Sequence, residues 1–122
     1  MITGHVTSDR EAVVTVQLRD TENRLQTITA VVDTGFNGFL TLPHDWLVRF
    51  RRGFTGTTRV ELGDGQTVDM DMYSVQAHWE GGEREIIAFA ADGGPLLGMA
   101  LLENHRLSLE VRNQGSVRIE PL

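Results

Sequence analysis

The chain has 122 residues, a net charge of −6 and no cysteine. A single domain of this length buries about two-thirds of its unfolded surface, so a core forms without disulfide staples. The missing thiols exclude disulfide scaffolds, thiolate zinc sites and thiol catalysis, and they fit a cytoplasmic setting.

The acidic balance argues against a nucleic-acid surface, which needs a positive patch. The one basic cluster, Arg49 with Arg51 and Arg52, reads as solvated surface. The opening Met1-Ile2-Thr3-Gly4-His5 has no basic stretch leading into an apolar one, so no signal peptide is expected. No apolar run approaches the roughly 20 residues of a membrane-spanning helix.

Met1 to Thr3 is strand-like, as is Val117 to Leu122, and these ends suit either pairing within the chain or addition to a partner's sheet. Residues 11–18 alternate as a strand, residues 19–24 are polar and turn, and Leu25 to Asp33 forms the strand back. Asp33-Thr34-Gly35-Phe36-Asn37-Gly38 then interrupts two apolar runs. Gly, Asn and Asp make turns, so strand, tight loop and strand are expected through Pro43. His44 to Phe50 carries apolar residues three and four apart and predicts a short helix, ended by Gly53 and Gly56.

Arg59 to Leu62, the turn Gly63-Asp64-Gly65 and Gln66 to Tyr73 give the strongest hairpin pattern in the chain. Val75 to Trp79 reads as another strand, with Glu80 to Glu83 as a turn and Arg84 to Ala91 returning. Asp92-Gly93-Gly94-Pro95 breaks the chain, before Leu96-Leu97-Gly98-Met99, a helical turn or two through Asn104 and a last hairpin around Asn113-Gln114-Gly115. Many short strands with at most two short helices indicate one all-β domain, residues 1–122, as a barrel or sandwich. The two halves echo one another: hairpins, an apolar strand, a glycine turn, a short helix.

Chemistry concentrates at Asp33. A carboxylate at the end of a buried strand is expensive unless it has a role. Asp-Thr-Gly is a weak match alone, but here it follows one apolar strand, precedes another and has a later Leu96-Leu97-Gly98 before a short helix. Peptide hydrolysis by carboxylates needs two around one water. The charged one takes a proton and the neutral one donates to the carbonyl oxygen; two so close share a proton. One chain offers one Asp in such a loop, so the second would come from a second copy in a twofold dimer. Asp92-Gly93-Gly94 reads as a solvated turn rather than a repeat of that loop.

The segments Val32 to Pro43, Leu62 to Gly65, Leu97 to Leu102 and Leu107 to Leu109 resemble those of retropepsin-like aspartic proteases, most closely the small single-domain prokaryotic members, over roughly residues 10 to 112. Viral and pepsin-like members usually have a small residue where Phe36 stands. The resemblance implies a closed acid-protease barrel and an active site at a homodimer interface. By similarity, Asp33 would be catalytic, Thr34 would bond across the dimer and Gly35 would let the loop turn beneath substrate. Leu62, Gly63, Asp64, Gly65 and Gln66 would form a flap, and Leu96, Leu97 and Gly98 would thread behind the catalytic loop.

The expected activity is therefore that of an aspartic endopeptidase acting on an extended peptide or protein substrate, without cofactor, metal, nucleic-acid or membrane partner. His5, His44, His78 and His105 show no ligand spacing. Met70 and Met72 are expected to pack on one strand face with Tyr73 on the other, and Trp46 and Trp79 to anchor core or interface. The competing readings are a retropepsin-like fold that binds peptide or dimerises with little turnover, and a plain β domain in which Asp33-Thr34-Gly35 is only a turn.

Overall fold

Alternation of apolar and polar residues builds most of the strands. In β2 (Ala12–Arg19), Val14, Val16 and Leu18 point inward while Thr15 and Gln17 face out. The same two-residue period buries Ile28 and Ala30 in β3 (Leu25–Val32), Ile86, Ala88 and Ala90 in β7 (Gly82–Ala90), and Val117 and Ile119 in β10 (Ser116–Pro121). Each valine, leucine or isoleucine among them contributes on the order of 1.5–3 kcal/mol when removed from water. The remaining strands are β1 (Ile2–Val6), β4 (Leu40–Leu42), β5 (Gly53–Glu61), β6 (Thr67–Trp79), β8 (Leu96–Leu97) and β9 (His105–Leu109). The helices α1 (His44–Phe50) and α2 (Met99–Leu102) are short. The computed structural model describes residues 1–61 and 64–122 and is mostly β-sheet. No helix among the described residues is long and apolar enough to cross a membrane.

The strands follow the order β5-β6-β7-β4-β8-β3-β2-β1-β10-β9, and β2 makes a further antiparallel pairing with β6 through Gln17 to Arg19. Both chain ends pair within the chain: β1 lies between β2 and β10, and β10 between β1 and β9. One continuous cluster fills the interior. It joins Val14, Leu18, Leu40, Leu42, Phe50, Val75, Leu97 and Leu101 from elements distant in sequence.

Two local expectations are corrected. The expected strands Gln66 to Tyr73 and Val75 to Trp79 form one strand, β6, which begins at Thr67 and leaves Gln66 in the turn. Ser74 is polar but lies between partners, opposite Gly53 in β5 and Ile87 in β7, and its carbonyl accepts the Arg52 N–H at 2.7 Å. Backbone pairing on both sides carries the strand through it. The glycines Gly53 and Gly56 do not end α1 either. The helix ends at Arg51, whose backbone turns extended at ψ 137°. Gly53 already belongs to β5, and Gly56, at φ +136°, occupies an irregularity in its pairing with β6, where a bulge favours glycine.

The echo between the two halves becomes a symmetric interlock. Each half runs strand, loop, strand, helix: β3 to β4 and α1, then β7 to β8 and α2. The strand after each loop pairs in parallel with the strand before the other loop, β8 with β3 and β4 with β7. The two returning strands meet antiparallel at Leu40 and Leu97.

Candidate active site at the Asp33 loop

The apolar run of β3 ends at Val32, and the next backbone N–H, that of Asp33, donates to the Leu97 carbonyl at 2.9 Å. This bond fixes where the carboxylate leaves the sheet. The Asp33 Oδ1 atom accepts the Gly35 N–H at 2.9 Å, and the Phe36 N–H donates to the Asp33 carbonyl at 3.2 Å. Asp33 thus closes its own turn. Its Oδ2 has no hydrogen-bond partner among the described residues, and the residue is half-buried. Thr34, Gly35 and Asn37 are exposed beside it, while Phe36 is buried, edge-on to Phe89 at 5.5 Å.

The loop is held from behind. Gly98, Met99 and Ala100 donate their N–H groups to the carbonyls of Phe39, Phe36 and Gly38 at 2.8–3.1 Å. The loop carbonyls that point inward are satisfied this way. The approach is so close that a Cβ on Gly98 would lie 2.2 Å from the Gly38 oxygen and 2.7 Å from that of Phe36. Leu96 and Leu97 form β8 between β3 and β4, and the Leu96 N–H donates to Oγ1 of the buried Thr41 at 2.9 Å. The structure therefore brings Asp33, Thr34, Gly35, Leu96, Leu97 and Gly98 into one unit.

A cavity of about 180 Å³ opens over Asp33, walled by Phe36, Val60, Met70, Ala91 and Leu96. A second, of about 320 Å³, adjoins it across Gly35, Phe36, Val60 and Glu61 and reaches Asn37, Arg59 and Phe89. The β5–β6 hairpin thus covers the loop with Val60, Glu61 and Met70. Of the expected flap residues, Asp64, Gly65 and Gln66 are exposed and line neither cavity, and Leu62 and Gly63 lie outside the described residues. The Asp64 Oδ1 accepts the Gln66 N–H at 2.9 Å and Gly65 takes φ +84°, as a hairpin turn requires. Met70 lines the cavity as well as packing. Larger cavities beside Trp79 and beside Arg52 contain neither Asp33 nor its loop.

Val60, Glu61, Met70, Ala91 and Asp92 were not legible as site residues. Alternation marks Val60 and Met70 as strand positions, but only the hairpin's fold over the loop brings them to Asp33.

The interlock also identifies what the second half offers. The Ala91 N–H donates to the Leu42 carbonyl at 3.1 Å, as Asp33 does to Leu97. Ala91 is therefore the counterpart of Asp33, and Asp92 follows one residue later. One chain supplies one carboxylate at that position.

Asp20 shows the opposite design. It is 6% exposed and accepts N–H groups from Glu22 and Arg24 at 2.9 Å, Gln26 Nε2 at 3.1 Å and Arg24 Nε at 3.3 Å. The Arg24 backbone N–H first, then the Gln26 amide, hold its carboxyl below the ordinary 3.8, at about 2, against the opposing effect of desolvation. This carboxylate is consumed by structure; Asp33 keeps one oxygen without a partner among the described residues.

Among the described residues no group of three His, Asp or Glu side chains is placed to hold a metal ion. Comparison with protein-family models and with curated proteins finds no match.

Proposed function

We propose that the chain is an aspartic endopeptidase that works as a homodimer and belongs to the retropepsin-like class. The observation that carries this reading is the Asp33 carboxylate: one oxygen is fixed by the Gly35 N–H, the other has no hydrogen-bond partner among the described residues, and Asp33 lines a cavity shared with the β5–β6 hairpin. A closed barrel is part of the proposal. The pairing circuit β6-β7-β4-β8-β3-β2 and back to β6 supports it. The absence of cysteine supports a cytoplasmic location.

In the proposed reaction two Asp33 carboxylates, one from each copy, hold a water between them and share one proton. The charged carboxylate takes a proton as the water oxygen attacks the peptide carbonyl carbon, and the neutral one gives its proton to the carbonyl oxygen. Collapse of the tetrahedral diol breaks the C–N bond as the nitrogen gains a proton from the pair and a diol hydroxyl returns one to it, leaving acid, amine and a pair that again shares one proton. Ala91 at the counterpart position supports a second copy as the source of the second carboxylate. The exposed Thr34 and Gly35 beside Asp33 give the second copy a polar loop to meet.

The test is digestion of a mixed peptide library by wild type and Asp33→Asn in parallel, with the mass of each species measured in the same samples. Cleavage by a wild-type dimer, and none by Asp33→Asn, is expected. Equal cleavage by both, or cleavage by a strict monomer, would overturn the proposal. Silence from both, with the dimer present, transfers the reading to a peptide-binding module.

A further inference from the structure

The cavity above Asp33 is lined mainly by apolar side chains and by acids, of which Glu61 and Asp92 are exposed and Asp33 is half-buried. Phe36, Val60, Met70, Ala91 and Leu96 make the walls with Gly35 and Thr41, and among the described residues Glu61 and Asp92 join Asp33 as the charged lining. Glu61 comes from the covering hairpin and Asp92 from the loop between β7 and β8, so the two acids approach the cavity from different elements. No ion pair among the described residues involves either of them or Asp33. The nearest arginine along the hairpin, Arg59, is paired with Asp69 at 3.3 Å and lines the neighbouring cavity instead. At about 180 Å³ the space is side-chain sized, since a cavity of about 150 Å³ holds benzene.

A long aliphatic stem ending in a cation matches such a pocket. Lysine and arginine bury their methylenes against apolar surface while the charged head stays at the wet rim. An acidic side chain placed there meets like charges and an apolar one leaves the acids uncompensated, so charge complementarity discriminates among peptides. We propose that this cavity is a specificity subsite for a basic residue beside the scissile bond, selected by Glu61 and Asp92. The inference rests on the peptidase reading for the words "scissile bond", but the preference itself is a property of binding.

Two readouts keep the two claims apart. The peptide Ala-Leu-Lys-Phe-Leu-Ala, labelled with fluorescein, and its Met-for-Lys and Glu-for-Lys counterparts are titrated into Asp33→Asn protein. The same three peptides are given to wild type for cleavage. The lysine form is expected to exceed the methionine form by about tenfold, the scale of one charge-assisted contact, with the glutamate form last. Asp92→Asn combined with Glu61→Gln brings the ratio to about one, and Asp92→Lys favours the glutamate form. Equal binding of all three peptides, or a preference that survives the double substitution, overturns the subsite even if cleavage proceeds. A preference that holds in binding, with no cleavage by wild type, keeps the subsite and overturns the peptidase.

Discussion

Two loops leave the central strands in equivalent ways, and they differ in how tightly they are held. The loop after β3 is clamped: Asp33 bonds Gly35, and Gly98, Met99 and Ala100 satisfy three of its carbonyls. The loop after β7, at 91–95, is open, and added methyl groups on Gly93 and Gly94 would meet nothing within 4 Å. The topology is shared and the chemistry is not. A symmetric scaffold supplies two strand ends, and only the end after β3 carries an acidic residue whose carboxylate is oriented by a backbone N–H of its own loop. The other end contributes cavity wall through Ala91 and Asp92.

The largest expected effect comes from removing the charge at the clamped loop. Asp33→Asn should lower cleavage about 10⁴-fold, near the top of what positioned acid–base groups contribute. The fold should survive, because the asparagine oxygen still accepts the Gly35 N–H; peptide turnover and a urea melt read the two parts separately. Moving the carboxylate should not rescue it. In Ala91→Asp combined with Asp33→Asn the new acid occupies the equivalent strand end without the glycine clamp, and cleavage stays absent. Restored turnover would break the comparison.

Stability divides the loops next. A Cβ on Gly98 enters the backbone of the clamped loop, so Gly98→Ala should cost about 3 kcal/mol or more. Gly94→Ala, in open space, should change stability by no more than about 0.5 kcal/mol. Denaturant midpoints of the two variants check this pair directly.

The smallest effect concerns Asp20, whose folded carboxyl is held at about 2 against an ordinary 3.8. A carboxylate with a depressed folded value stabilises the protein fully above its unfolded value and loses that contribution as pH falls through its folded one. Wild-type urea midpoints should therefore decline from about pH 4 toward pH 2, and Asp20→Asn should flatten that decline while leaving peptide cleavage at neutral pH unchanged. An identical decline in the variant would show that Asp20 does not carry it.

The sequence makes the strands and the Asp33 turn legible because both are local. Alternation reveals which side of β2 or β10 is buried, and Asp, Gly and Asn announce the loop. The interlock of β3 with β8 and β4 with β7 is not local: parallel pairing joins residues whose separation no periodicity records. For the same reason Val60, Met70 and Asp92 remain invisible as neighbours of Asp33. The role of Asp20 escapes as well, since residues 19–24 read only as a polar turn, and the turn's hydrogen-bond saturation exists only once Gln26 and Arg24 close around it. Ser74 shows the converse error, where a polar residue read as a strand break is carried through by pairing on both sides.

The central claim is that two copies of Asp33 act together on one water. Subunit mixing tests it most directly. Wild-type protein at fixed amount is equilibrated with increasing Asp33→Asn protein, and the activity of the pooled dimers is followed. If both carboxylates are required, activity per total dimer falls as the square of the wild-type fraction, because mixed dimers are silent. A fall in simple proportion to that fraction would mean that one Asp33 suffices, and would contradict the account.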